Sequence, residues 1–163
     1  MGEARNKHRL AARQVRLPVL ASHRMCGECT ACCTVMAVKE IGKLQDVTCE
    51  HVCAEGCSIY TNRPSSCRDF NCLWRYEFGE FGDRPDKLGL VFHPTGQSEF
   101  GQFICVREVW PGAIEAAQSR LDAWVAAGHV FIFILGDQRR LLGLPEKVEP
   151  VRAKMLQRFG QSW

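Results

Sequence analysis

Nowhere in the chain do apolar residues run on for the roughly 18 to 20 positions a bilayer-crossing helix needs. The longest apolar stretch, His129 to Leu135, fits one buried strand. The N-terminal stretch MGEARNKHRLAARQVRLPVLASHRM is basic but holds no apolar core of the kind an export signal requires. These absences set the expectation of a cytoplasmic protein with no membrane partner, in a compartment where thiols stay reduced. Common catalytic signatures are missing as well: there is no P-loop, no G-x-G-x-x-G, no G-x-S-x-G and no H-E-x-x-H. No internal repeat and no low-complexity segment is present. The segment from Cys26 to Cys72 also contains few large apolar side chains, so it lacks the material for a core of its own.

What this segment has is sulfur. Nine of the ten cysteines fall within it: Cys26, Cys29, Cys32, Cys33, Cys49, Cys53, Cys57, Cys67 and Cys72. A thiolate is a metal ligand, a nucleophile or half of a disulfide. In a reducing compartment, clustered C-x-x-C pairs favour a metal. The C-x-x-C loop brings two sulfurs within reach of one tetrahedral ion. Cys26 with Cys29, and Cys29 with Cys32, form two such pairs, and Gly27 permits a tight turn beneath them. Cys32 and Cys33 are adjacent, so their side chains are expected to diverge and serve different ions. Cys49, Cys53 and Cys57 are spaced by four, which lines them along one face of a helix or lets a loop wrap an ion. Cys67 and Cys72 complete the set.

Nine thiols fill two four-coordinate sites with one left over; a nine-thiolate, three-zinc cluster is a less economical arrangement. The closed, all-sulfur set favours zinc. The C-x-x-C-x-x-C run equally suits iron, or an iron–sulfur cluster held by four cysteines. His51 is a candidate replacement ligand, while Glu28 and Asp69 read as solvated. Two divalent ions on eight thiolates would add about −4 to the formal net charge of +3. Arg63, Arg68 and Arg75 lie close by in sequence and are candidates to offset that charge and donate hydrogen bonds to sulfur.

The run CGECTACC, followed by GCSIYTNRPSSCRDFNC, resembles the YkgJ-type cysteine-cluster proteins, a family with a zinc- or iron-chelating domain marked CxxCxxCC. The resemblance covers roughly residues 25–75. Carried over by position, it implies Cys26, Cys29, Cys32, Cys33, Cys49, Cys57, Cys67 and Cys72 as ligands. Cys53 matches only some relatives, because Val52 separates it from His51. Larger relatives, such as flagellin lysine methylases, embed the motif in a much longer chain, and methylation is not transferred to this one. Within the motif, Ile59 and Tyr60 are expected beneath the metal, Pro64 in a turn, and Phe70 and Trp74 as a cover against water.

Outside the cluster, residues 1–24 carry Arg5, Lys7, Arg9, Arg13, Arg16 and Arg24 against Glu3 and form a basic arm. The arm lacks interleaved aromatics, so nucleic acid is not the expected partner. The metal ion is the expected partner, and a protein partner is left open. Residues 75–87 read as a loop. From Leu88 the pattern is that of an α+β fold. Strands are expected over Leu88 to His93 and Phe100 to Val109, joined as a hairpin by a turn at Pro94 to Ser98. A helix is expected over Pro111 to Ala127, ended by Gly128. A strand over Val130 to Leu135 and a terminal helix over Glu146 to Phe159 follow. Cys105 reads as a buried apolar residue, and His93 and His129 as structural residues at strand ends. The expected architecture is one small domain over residues 25–163. A cysteine-rich metal module, residues 25–75, packs on a short antiparallel sheet and two helices supplied by residues 88–163.

Three functions compete: a metal-binding protein with a structural, metal-handling or partner-binding role; an iron–sulfur protein in redox or enzymatic service; and a thiol redox sensor using Cys32, Cys33 or a spare thiol. No general base with a matching partner is visible, so a binding module ranks ahead of an enzyme.

Overall fold

The computed structural model describes residues 19–95 and 100–160. The basic arm expected over residues 1–24 therefore lies mostly outside the described residues, as does the turn beyond Thr95. The elements run α1 (Ala31–Val35), β1 (Val52–Cys53), β2 (Gly56–Cys57), α2 (Ser65–Asp69), α3 (Pro85–Leu88), β3 (Leu90–Pro94), β4 (Ile104–Glu108), α4 (Ala113–Ala116), α5 (Gln118–Ala126), β5 (Phe131–Leu135), β6 (Gln138–Leu142) and α6 (Pro145–Phe159). The class is α+β, as expected. No helix among the described residues is long and apolar enough to cross a membrane.

Strands β3 to β6 form one sheet in sequence order, and β1 with β2 forms a separate two-residue hairpin. The β3–β4 pair is antiparallel, as expected of its hairpin, and the β5–β6 pair is antiparallel as well. The β4–β5 pair is parallel, with Cys105 opposite Ile132, so the expected all-antiparallel sheet is corrected to a mixed one. Parallel neighbours need a long crossover, and α4 and α5 supply it. The expected single helix over 111–127 is two helices, broken at Ala117 (φ −92°, ψ 7°). Gly128 follows α5 in positive φ, as expected of a helix stop, and its N–H bonds Val125 O. Strand β6 was not anticipated: QRRLL carries charge rather than alternation, and Gly136-Asp137 makes the tight turn into it.

Side-chain alternation divides the sheet between two cores. Leu90, Phe92, Val106, Phe131 and Phe133 face Ala113, Ile114, Ala117 and Leu121 of the crossover. On the opposite face, Cys105, Ile132 and Leu141 meet Val148, Val151 and Met155 of α6. These α6 positions lie on one helical face, and Pro150 sits on the exposed side. On that same sheet face, Val91 meets Ala31 and Val35 of α1. The cysteine segment is thus seated on the edge strand β3.

The segment expected to be a loop over 75–87 has more structure than its glycines suggest. Asp83, 9% exposed, accepts from Glu80 N at 2.7 Å and from Arg120 Nε at 3.1 Å, pinning the loop to α5. Arg24, 7% exposed, donates to the carbonyls of Trp74 (3.0 Å), Phe78 (3.3 Å) and Gly79 (3.0 Å) and lies over the Trp74 ring. The end of the basic arm is a buried clamp.

Two outcomes are expected from this packing. Gly89 links α3 to β3 at φ +79°, and a Cβ there would fall 2.5 Å from Ala113 Cβ and 2.6 Å from the Trp110 ring. Gly89→Ala should cost about 2 kcal/mol or more in a urea melt, since strain and overpacking add. Burial pushes the Cys105 thiol from 9.0 up to about 11. A raised folded pKa gives stability that is fully present below the unfolded value and lost as pH climbs through the folded one. Cys105→Val should therefore flatten the fall in urea midpoint between about pH 9 and pH 11 relative to the parent chain. Parallel curves for the two proteins would contradict it.

Candidate metal centre

The cysteines come together from several short pieces of chain. Cys26 and Cys29 close a turn through the Cys29 N–H···O Cys26 bond of 2.9 Å. Cys32 and Cys33 lie on α1. Cys49 N donates to Cys33 O at 3.0 Å, which brings the next cysteine back to the helix. Cys53 and Cys57 lie on the β1–β2 hairpin, not on a helix. Cys67 sits in α2, and Cys72 immediately precedes a 3-10 turn over Leu73–Tyr76. All ten cysteines are free thiols.

Seven of them (Cys26, Cys29, Cys32, Cys33, Cys49, Cys57 and Cys67) line a single cavity of about 270 Å³ together with His51, and no carboxylate lines it. The remaining two candidates are placed differently. Cys53 is exposed and does not line the cavity, because alternation on its short strand turns it away from Cys57. Cys72 does not line the cavity either. With Cys29 it packs against the buried Ala31, Val35 and Val91.

The thiols act on one another's ionisation across the cluster. Cys26 opposes ionisation of Cys29, Cys32 and Cys72. Cys33, Cys49 and Cys57 oppose ionisation of Cys67. Burial is the leading cause that pushes the Cys29 thiol up to about 11, and it raises Cys67 and Cys72 as well. Cys32 and Cys33, adjacent on α1, act on each other's ionisation: the pair keeps the proton on Cys32 and, helped by Lys43 and Arg63, lowers Cys33 to about 7.

Arg75 donates from Nη1 to Cys26 Sγ at 3.7 Å, a hydrogen bond to sulfur as expected. Its buried Nε has no partner among the described residues. Arg63 stacks on Tyr60 at 3.8 Å and donates to Tyr60 O, while Arg68 donates to Arg63 O. Ile59, Tyr60 and Phe70 line the cavity. Trp74 does not: it is 3% exposed, packs on Phe81 and donates from Nε1 to Phe81 O. Its expected role as a cover for the cluster is corrected to core packing. Glu28 and Asp69 are exposed, as expected.

Two contributors escaped the sequence. Lys43 Nζ caps the carbonyls of Thr34, Met36 and Leu44, closing the loop after α1 beside Cys33 and Cys49. Glu40 binds the Ser66 N–H at 3.0 Å and the hydroxyls of Ser65 and Ser66; these bonds, the backbone one first, hold its carboxyl down to about 2. It caps the start of α2 from 25 residues away, a spacing without a motif.

The donor chemistry suits a thiophilic ion: seven sulfurs and one imidazole at a cavity wall without carboxylates. Gly56 lets the hairpin approach the first turn, since a Cβ there would meet Gly27 O at 3.3 Å. The thiols surround the cavity without converging; among the described residues, no group of three or more His, Cys, Asp or Glu is closed to ligating geometry. The chain matches no protein-family model, no curated protein and no solved structure.

Proposed function

We propose that the chain is a metal-binding cysteine-cluster protein that holds about two zinc ions through thiolates. One observation carries the reading: seven free cysteines and a histidine line one cavity free of carboxylates, in a segment with almost no core of its own. The reading takes Cys26, Cys29, Cys32, Cys33, Cys49, Cys57, Cys67 and Cys72 as the ligands, seven of them at the cavity wall and Cys72 packed with Cys29 against Val91. Cys53 is left over. The resemblance to the YkgJ-type family points the same way. Bound zinc supplies a cross-link between chain segments in place of apolar burial.

This chain's own residues would do the rest. The backbone bond from Cys49 N to Cys33 O already ties the loop to α1. Arg75 would donate to the sulfur of Cys26, while Lys43 and Arg63 offset the charge around Cys33.

Elemental analysis with an absorption spectrum, on protein purified without oxygen, is expected to give about two zinc per chain and a colourless sample. Cys72→Ser should lower both zinc content and stability, and Cys53→Ser should leave both unchanged. Full metal content and full stability in Cys72→Ser would sink the ligand assignment. Iron with sulfide and a broad band near roughly 400 nm would replace zinc by the iron–sulfur reading. Because thiols must shed protons to bind, zinc uptake should release protons, and acidification from about pH 7 to about pH 4 should free the metal to an indicator dye. Zinc retained at the acid end would argue against thiolate ligation.

A further inference from the structure

A cavity of about 840 Å³ lies away from the thiols, and no residue lines both it and the cysteine cavity. It sits where the 3-10 turn Leu73–Tyr76, the end of β3, the approach to β4, the end of α5 and the start of α6 meet. Its wall is rich in rings. Tyr76, Phe78, Trp124 and His129 line it, and each is partly buried. Phe78 lies 4.9 Å from Trp124 and 5.3 Å edge-on from His129. Ile104 and Val130, also partly buried, add aliphatic surface. Phe78 and Trp124 pack in turn on Phe92 and Phe131, so the sheet core holds this concavity in shape.

The charged groups on the wall are few. Lys147, in the first turn of α6, donates from Nζ to Gly128 O at 2.5 Å, just past the end of α5. That bond uses one of the three N–H groups of the ammonium. Among the described residues Lys147 forms no ion pair. Gly128 makes this placement possible, because a Cβ there would fall 2.7 Å from Lys147 Nζ. Glu77 is the one carboxylate on the wall, and His23 Nε2 lies 3.8 Å from it. A single unpaired cation beside exposed ring surface suits a guest with one negative end and a flat apolar body. A doubly charged head would meet Glu77 without a second lysine or arginine on the wall to offset it. An aromatic body extends the ring cluster through offset and edge contacts, which add to the gain from area alone.

We propose that this cavity is a binding site for a small aromatic carboxylate. Lys147 takes the carboxylate, and Phe78 and Trp124 take the ring. Apolar walls with a few placed polar groups are the usual make-up of small-molecule sites. Lys147 is exposed, so its ion pair contributes a modest factor, and the rings supply most of the affinity. The site is separate from the cysteine cavity and does not depend on what the thiols hold.

The test titrates the full chain with naphthylacetate and with its uncharged counterpart naphthylethanol, followed by NMR shifts of backbone amides and indoles. The acid should bind saturably, with a Kd of about 1 mM or tighter. It should move the Trp124 indole and the amides of residues 128–130. Lys147→Met should weaken the acid about threefold or more and leave the alcohol unchanged. Gln102→Trp, at an exposed position on the wall, should fill the cavity and abolish binding of both probes. Neither substitution touches a buried residue, so both variants are expected to fold. No saturable binding of the acid, or shifts confined to other parts of the molecule, would overturn the inference. So would an acid affinity that Lys147→Met leaves unchanged, or a Gln102→Trp chain that binds as the parent does.

Discussion

From residue 39 to residue 73 no apolar side chain is buried, yet the stretch follows a defined path around a cavity. The hydrophobic effect is the main source of folding free energy in most domains, and here it acts only on partly buried side chains such as Phe70 and Leu73 at the edge of the neighbouring cores. Backbone bonds and a few caps, such as Glu40 on α2 and Lys43 on the turn after α1, are individually small contributions. A structural zinc, at about 10–16 kcal/mol, is comparable with the whole stability of a typical domain, about 5–15 kcal/mol. The same constraint explains why the thiols ring the cavity: their positions are set by the surrounding turns, and the ion is what would draw them together.

The α+β half was legible where periodicity was strong. The hairpin, the crossover region and the terminal helix are written in apolar spacing, and Cys105 reads as a core residue because it sits in the run FICVREV. The parallel pairing of β4 with β5 was not legible, because strand patterns do not encode direction; the crossover of α4 and α5 does. Strand β6 was hidden by Arg139 and Arg140. Its place at the sheet edge explains the charge: Arg140 lies over the Phe133 ring and Arg139 caps the preceding turn.

In the cysteine segment the candidates were legible by spacing and their placement was not. Cys53 looks equivalent to Cys49 and Cys57 when counted in fours, and only the hairpin register turns it outward. Cys72 looks like one more ligand at the end of the run, and only tertiary packing sets it against Val91 beside Cys29. Trp74 misled for a related reason: two residues beyond Cys72 the chain has already entered the core.

Strand β3 is where the halves depend on one another. Leu90 and Phe92 face the crossover helices, while Val91 between them faces α1, Cys29 and Cys72. A pleated strand cannot slip by one residue without exchanging these faces. The register that buries Phe92 against Trp124 is therefore the register that seats Val91 beneath Cys29 and Cys72. Geometry fixed by ordinary apolar packing is handed across one strand to two of the thiols. The cysteine segment can then do without a core at its own centre, because Cys29 and Cys72 borrow one edge of the core next door.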